Sequence, residues 1–146
     1  MRCARGGNHR FFGAELPENI RVRPVVAAEG MQELYAEHDI LLIPSLLEGL
    51  PSVLLEAMAG GMQVMTTETC GMPDVVEHEH NGMLIAPADG KAIEDSVLRA
   101  AESAQLRKRL GCAARETTRR YRWERSALRL EALYWRILEK EARAAA

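Results

Sequence analysis

Two carboxylates eight residues apart are the residues whose types and spacing most clearly indicate chemistry. Glu48 and Glu56 flank the segment GLPSVLL, and an apolar run ends just before them at Pro44. Gly49 allows the backbone there to approach a ligand closely. A carboxylate accepts hydrogen bonds from neighbouring hydroxyl groups, as in ribose or hexose rings. The pair therefore indicates a site for a polyhydroxylated ring.

The segment between the carboxylates also provides a place for phosphate. Pro51 suits the first turn of a helix that we predict over residues 51–59. The first N–H groups of a helix have no partner inside it and carry partial positive charge, so they bind anions. Because Pro51 has no N–H, the expected donors are Leu50, Ser52 and Val53. A helix end that binds phosphate, next to carboxylates that bind hydroxyl groups, fits a nucleoside diphosphate sugar as the ligand.

Strands and helices that alternate along the chain must position this segment. We expect strands at residues 20–26, 39–44, 63–67 and 82–86, one helical turn at residues 72–78, and helices at residues 30–37, 51–59, 90–104, 104–120 and 123–143. Such alternation implies right-handed crossovers and an open parallel Rossmann-like α/β sheet. Ligands bind at the carboxyl ends of such strands, where the loop at residues 45–50 lies.

Several elements carry more detailed expectations. Pro24 places the first strand at a sheet edge or bulge, and the continuous apolar run at residues 39–44 predicts a strand buried on both faces. Ala127, Leu130 and Tyr134 recur at helical spacing, which predicts an amphipathic last helix docked on an apolar surface. We expect residues 1–18 to be irregular and residues 19–146 to form one incomplete Rossmann-like domain with C-terminal helices.

The order of these motifs resembles a known family of enzymes. Glu48, GLPSVLL and Glu56 resemble the E-x7-E motif of retaining glycosyltransferases of the two-Rossmann-domain (GT-B) fold, family 4 (glycosyl transferases group 1). The similarity continues through EAMAGGMQVMTT, CGMPDVVEHEHNGMLIAPAD and YRWERSALRLEALYWRIL, and it covers residues 22–139. The motif alone is common by chance, but its strand-loop-helix context and the later motifs make it specific.

The resemblance implies a role for each matching residue. Glu48 would contact the donor sugar as the catalytic residue, Glu56 would bind the ribose hydroxyls, and the backbone of residues 49–53 would hold the diphosphate. The implied donor is a nucleotide sugar, with no metal and no other cofactor. Cys70 stands where the family usually has glycine, and Asp74 where it usually has glutamate. These departures are mild, although Cys70 would crowd the ligand side of its loop.

Other parts of the family pattern have no counterpart here. An N-terminal acceptor domain, and the strand and glycine turn with the Arg and Lys that neutralise the donor phosphates, find no match upstream of Phe11. We therefore expect an enzyme part that is inactive alone and needs the acceptor domain or a partner chain. An unpaired sheet edge would also favour homo-oligomers. The alternatives are a non-catalytic nucleotide-sugar-binding module that works with a partner chain, and a structural remnant that oligomerises.

Composition excludes some classes of function. The 146 residues are 47% hydrophobic and 27% charged, as in a soluble globular protein, and a net charge of -2 argues against nucleic-acid binding. The three cysteines are an odd number without paired spacing, and the sequence has no signal-peptide run and no segment of transmembrane length. We therefore expect a cytoplasmic protein with at most peripheral membrane contact.

Three other features invite functional readings that we do not favour. His78 and His80 fit a solvated turn better than a metal site. Cys70 has no partner to activate it as a nucleophile. The arginine-rich residues 115–125 fit a solvated helix face better than a surface for anionic lipid or an acidic acceptor.

Overall fold

The computed structural model describes residue 17 and residues 19–144. The expectation of an irregular segment at residues 1–18 lies outside the described residues, except at Pro17.

A sheet of three parallel strands forms the centre of the described chain. The strands are β1 (Ile40–Ile43), β2 (Gln63–Thr67) and β3 (Met83–Ile85), in the order β1-β2-β3. Leu41 pairs with Val64 across the first interface, and Met65 with Met83 across the second. The open parallel Rossmann-like sheet is therefore confirmed.

Two expectations about strands are wrong. Residues 20–26 form no strand: Pro24 cannot donate a ladder hydrogen bond, and the side chain of Val25 is fully exposed, so alternation alone does not secure a sheet partner. The strand β1 is only half-buried rather than buried on both faces. It lies at one edge of the described sheet and pairs there with β2. An edge position leaves such a strand less covered than a central one.

The helices lie close to their expected places. They are α1 (Met31–Ala36), α2 (Ser52–Gly60), α3 (Gly90–Glu102), α4 (Ala104–Thr118) and α5 (Trp123–Ala144), with 3₁₀ turns at Ala28–Gly30 and Arg119–Tyr121. Gly61 ends α2 in the left-handed conformation (φ 82°) that glycine favours. Asp89 and Ser103 cap α3 and α4 by accepting hydrogen bonds from backbone N–H groups of the first turns. The expected helical turn at residues 72–78 is present at its start, where the N–H of Val76 donates to the carbonyl of Met72 at 2.9 Å, and it does not continue beyond Val76.

Helices cover both faces of the sheet. On one face Val64 lies in a core with Leu54 of α2 and Tyr35 of α1. On the other face Met65 lies in a second core with residues of α3 and with Leu110 of α4. Since successive strand residues point to opposite faces, neighbouring residues of β2 serve different cores. The sheet is thus held between two helical layers, as an α/β fold requires.

The last helix does not dock as expected. The described side chains of α5 are exposed, and Trp123 is 88% exposed. The described chain offers no apolar surface against this helix, so the prediction of a docked helix is wrong for these residues. No helix in the described part of the chain combines the length and the apolar character needed to cross a membrane.

Candidate functional site

Two loops meet at the carboxyl edge of the sheet. The N–H of Gly71, in the loop after β2, donates to the carbonyl of Gly49, in the loop after β1, at 3.1 Å. A Cβ atom at residue 71 would stand 2.8 Å from that carbonyl oxygen, so only glycine permits this contact. The Thr67 hydroxyl donates to the carbonyl of Ser45 and joins the same loops again. These contacts fix the backbone that leads into α2.

Cys70 occupies an unusual backbone conformation beside this junction. Its φ is 49°, in the left-handed region, and its side chain is exposed. A residue with a Cβ atom loses about 1 kcal/mol there relative to its ordinary conformations. Cys70 therefore carries a conformational cost that a glycine would not have at this position.

The N-terminus of α2 opens at the same edge of the sheet. Pro51 is the residue before the helix (φ -69°, ψ 137°) rather than part of its first turn. Ser52 and Val53 are therefore the first helical residues, and the N–H of Leu54 already donates to the Pro51 carbonyl at 3.1 Å. Leu50 lies outside the helix, so of the expected donors only Ser52 and Val53 are helix-end N–H groups.

Glu56 is exposed but held in place. The hydroxyl of Tyr35, a residue only 9% exposed, donates to Oε2 of Glu56 at 2.9 Å. Burial, followed by this hydrogen bond and the charge of Glu56, raises the pKa of Tyr35 to about 12. Tyr35 therefore remains a hydrogen-bond donor to Glu56 well above the ordinary tyrosine pKa, and Oε1 of Glu56 makes no hydrogen bond within the described residues. The role of Tyr35 was not predicted from the sequence, where its only signal is a hydroxyl on a residue of the apolar side of α1.

A groove of about 630 Å³ runs along α2 beside Glu56. It is lined by Ser52, Leu55, Glu56 and Ala59 of α2, and across from them by Arg115, Thr118, Arg119, Tyr121, Arg122, Trp123 and Ser126. Of the predicted site residues, Ser52 and Glu56 line the groove together. Glu48, Gly49, Leu50 and Val53 do not, and the first three lie in the exposed loop that leads to its end.

The two histidines noted in the sequence lie elsewhere. Nδ1 of His78 accepts a hydrogen bond from the N–H of Leu84 at 3.0 Å, which fixes the turn to β3. Both histidines are exposed. Within residues 17 and 19–144, no group of three or more His, Cys, Asp or Glu side chains is placed to hold a metal ion.

The strand-loop-helix site on an open parallel sheet defines a Rossmann-like domain of the GT-B type, and comparison with known proteins identifies the family. The family model described as "Glycosyl transferases group 1" matches residues 13–117, and the chain belongs to this family. It is 30% identical over 132 residues to N-acetyl-alpha-D-glucosaminyl L-malate synthase of Bacillus anthracis. The aligned region covers 87% of this chain and 35% of that protein. The chain spans about a third or less of the length of the curated relatives it matches.

Solved structures agree with this assignment. Sucrose-phosphate synthase from Thermosynechococcus elongatus superposes with a TM-score of 0.68 at 28% identity, over 73% of this chain and 27% of that one. HepE of Anabaena, solved in complex with UDP-glucose, superposes with a TM-score of 0.57 at 25% identity, over 59% of this chain and 24% of that one. Both likenesses show that the described sheet and helices share the Rossmann-like fold of these proteins.

Proposed function

We propose that this chain is the donor-binding domain of a retaining glycosyltransferase and binds a nucleoside diphosphate sugar. The observation that carries the proposal is the exposed Glu56, held by Tyr35 beside the open N-terminus of α2. Membership of the glycosyl transferases group 1 family and the likeness to HepE, solved with UDP-glucose, support the same ligand class.

Each site residue has a role in this proposal. Glu56 accepts hydrogen bonds from the ribose hydroxyls, and the backbone of residues 49–53 holds the diphosphate at the end of α2. Glu48, in the exposed loop, contacts the donor sugar. During transfer the bond between the anomeric carbon and the diphosphate breaks, a new bond forms to the oxygen of an acceptor hydroxyl, and the proton of that hydroxyl passes to the leaving diphosphate. The helix end stabilises the negative charge that builds up on the leaving diphosphate, an electrostatic contribution to catalysis.

Transfer also requires an acceptor site, which we assign to another domain or to a partner chain. The isolated chain is then inactive in glycosyl transfer. The second candidate function, a non-catalytic nucleotide-sugar-binding module that works with a partner chain, is favoured by the exposed apolar side chains of α5. Association of copies through the edge of the sheet belongs to the same proposal.

Calorimetric titration tests donor binding directly. The purified chain is titrated with UDP, GDP and ADP and with their sugars, beside Glu56→Ala, Glu48→Gln and the matched control Glu139→Ala. Glu139 is an exposed carboxylate on α5, outside the site. We expect one nucleotide to bind and Glu56→Ala to weaken it about tenfold, the loss of one charge-assisted hydrogen bond. Glu48→Gln should weaken only the sugar-bearing ligand.

Two results would contradict the proposal. One is the absence of binding by every nucleotide in a sample whose circular dichroism shows it folded. The other is an equal loss of affinity in Glu56→Ala and Glu139→Ala. Transfer activity of the purified chain would separately disprove its expected inactivity.

A further inference from the structure

Three arginines form the wall of the groove opposite α2. They are Arg115 at the end of α4, Arg119 in the 3₁₀ turn and Arg122 just before α5. Arg119 pairs with Glu116 at 2.9 Å, whereas the side chains of Arg115 and Arg122 make no ion pair with any residue in the described part of the chain. Two uncompensated guanidinium groups therefore line a concave surface, where their fields reinforce each other.

The opposite wall carries groups that suit the other parts of a nucleotide. Ser52 lies at the first turn of α2, so one end of the groove has the partial positive charge of a helix N-terminus. Glu56 projects into the same groove with Oε2 already bonded to Tyr35. Trp123, almost fully exposed, offers a flat apolar ring within this groove. Cations, a hydroxyl acceptor and a stacking surface thus share one groove.

We propose that Arg115 and Arg122 bind the phosphates of the nucleotide donor from across the groove, with the base against Trp123. This inference rests on the proposed function and adds residues to its binding site. Guanidinium groups donate paired hydrogen bonds to phosphate oxygens and keep their charge at every physiological pH. They supply countercharge that the helix end alone does not provide. The groove volume of about 630 Å³ lies within the usual range for sites that enclose such ligands.

The test compares two double variants that remove the same charge. Arg115→Gln with Arg122→Gln alters the groove, and Arg129→Gln with Arg136→Gln is the control on the exposed surface of α5. Each is titrated with UDP, GDP and ADP and with the corresponding nucleosides, at low and at high salt. We expect the groove variant to bind the diphosphate at least about tenfold more weakly, with a shallower salt dependence. Its affinity for the nucleoside, and the control's affinity for both ligands, should stay within about twofold.

The outcomes separate this inference from the proposed function. If Glu56→Ala weakens nucleotide binding and the groove variant does not, the arginine assignment is overturned while the donor site stands. If no nucleotide binds to the folded chain, both fail. Binding of vesicles of anionic phospholipid that is lost in the groove variant, with nucleotide affinity unchanged, would assign the arginines to a membrane surface and also overturn the inference. Trp123→Ala should weaken the nucleoside and the nucleotide by the same factor.

Discussion

The hydrogen bond from Tyr35 to Glu56 predicts how stability depends on pH. Tyr35→Phe removes the hydroxyl and leaves the ring in its core position beside α2. Below the ordinary tyrosine pKa the wild-type chain keeps this bond, worth about 1.5 kcal/mol because the acceptor is a charged carboxylate. We therefore expect Tyr35→Phe to lower the free energy of unfolding by about that amount near neutral pH.

The raised pKa makes this advantage disappear in alkali. Tyr35 has an ordinary pKa of 10.0 and a folded pKa of about 12. A group with a raised pKa stabilises the folded state fully below the unfolded pKa, and this contribution is lost as pH rises through the folded pKa. At about pH 11, midway between the two pKa values, the free energy of unfolding of the wild-type chain is lower by about 1.4 kcal/mol than near neutral pH because of this titration. The wild-type and Tyr35→Phe chains should therefore have nearly equal stability there.

Urea unfolding followed by circular dichroism, at about pH 8 and about pH 11, measures the difference. Tyr121 and Tyr134 are exposed and present in both chains, so their titration cancels in the comparison. Glu56→Gln keeps an acceptor without charge and should show a smaller pH effect than the wild type. A difference between wild type and Tyr35→Phe that is the same at both pH values would refute the linkage between burial, Glu56 and the tyrosine hydroxyl.

Four further substitutions test local features by the same unfolding measurement. Thr66→Val should stabilise the chain by about 1 kcal/mol, because it removes a buried hydroxyl that has no partner among the described residues. Thr67→Val should instead destabilise the chain by about 1 kcal/mol, because it removes the hydrogen bond to the carbonyl of Ser45. Cys70→Gly should stabilise by about 1 kcal/mol by relieving the left-handed backbone, and an unchanged or lower stability would contradict this. Gly71→Ala should push the two loops apart, cost about 2 kcal/mol and weaken nucleotide binding in calorimetry; normal affinity would show that the loop junction is not needed.

Local signals allowed most elements to be predicted from the sequence. The strand at residues 63–67 and the helices at residues 90–104 and 104–120 were predicted from local patterns, and the structure shows that Asp89 and Ser103 cap the starts of α3 and α4. The failures share a different cause. The strand expected at residues 20–26 required a neighbouring strand, and the apolar side of α5 required an apolar surface to dock on. The periodicity of a sequence does not show whether such distant partners exist.

The candidate site shows the same division between local and distant contributions. Glu56 and the N-terminus of α2 were predicted because the residues that define them are neighbours in sequence. The support from Tyr35 comes from 21 residues away, and the arginines of the groove wall come from the end of α4. The sequence pattern predicted a solvated helix face for these arginines. They line a groove only because α4 packs against α2, and a local pattern does not show such packing.

The position of α4 therefore determines whether the arginine wall of the groove forms. Gly111 brings α4 so close to the turn after α2 that a side chain there would collide with the carbonyl of Gly61. Further along, the buried amide of Asn81 donates to the hydroxyl of Thr117 at 3.0 Å and so ties α4 to the turn before β3. Arg115 lies between these two anchors, so the backbone of α4 at this residue is held in place. On the other wall Tyr35 holds the carboxylate of Glu56, and a group that is held before binding loses less entropy when a ligand binds.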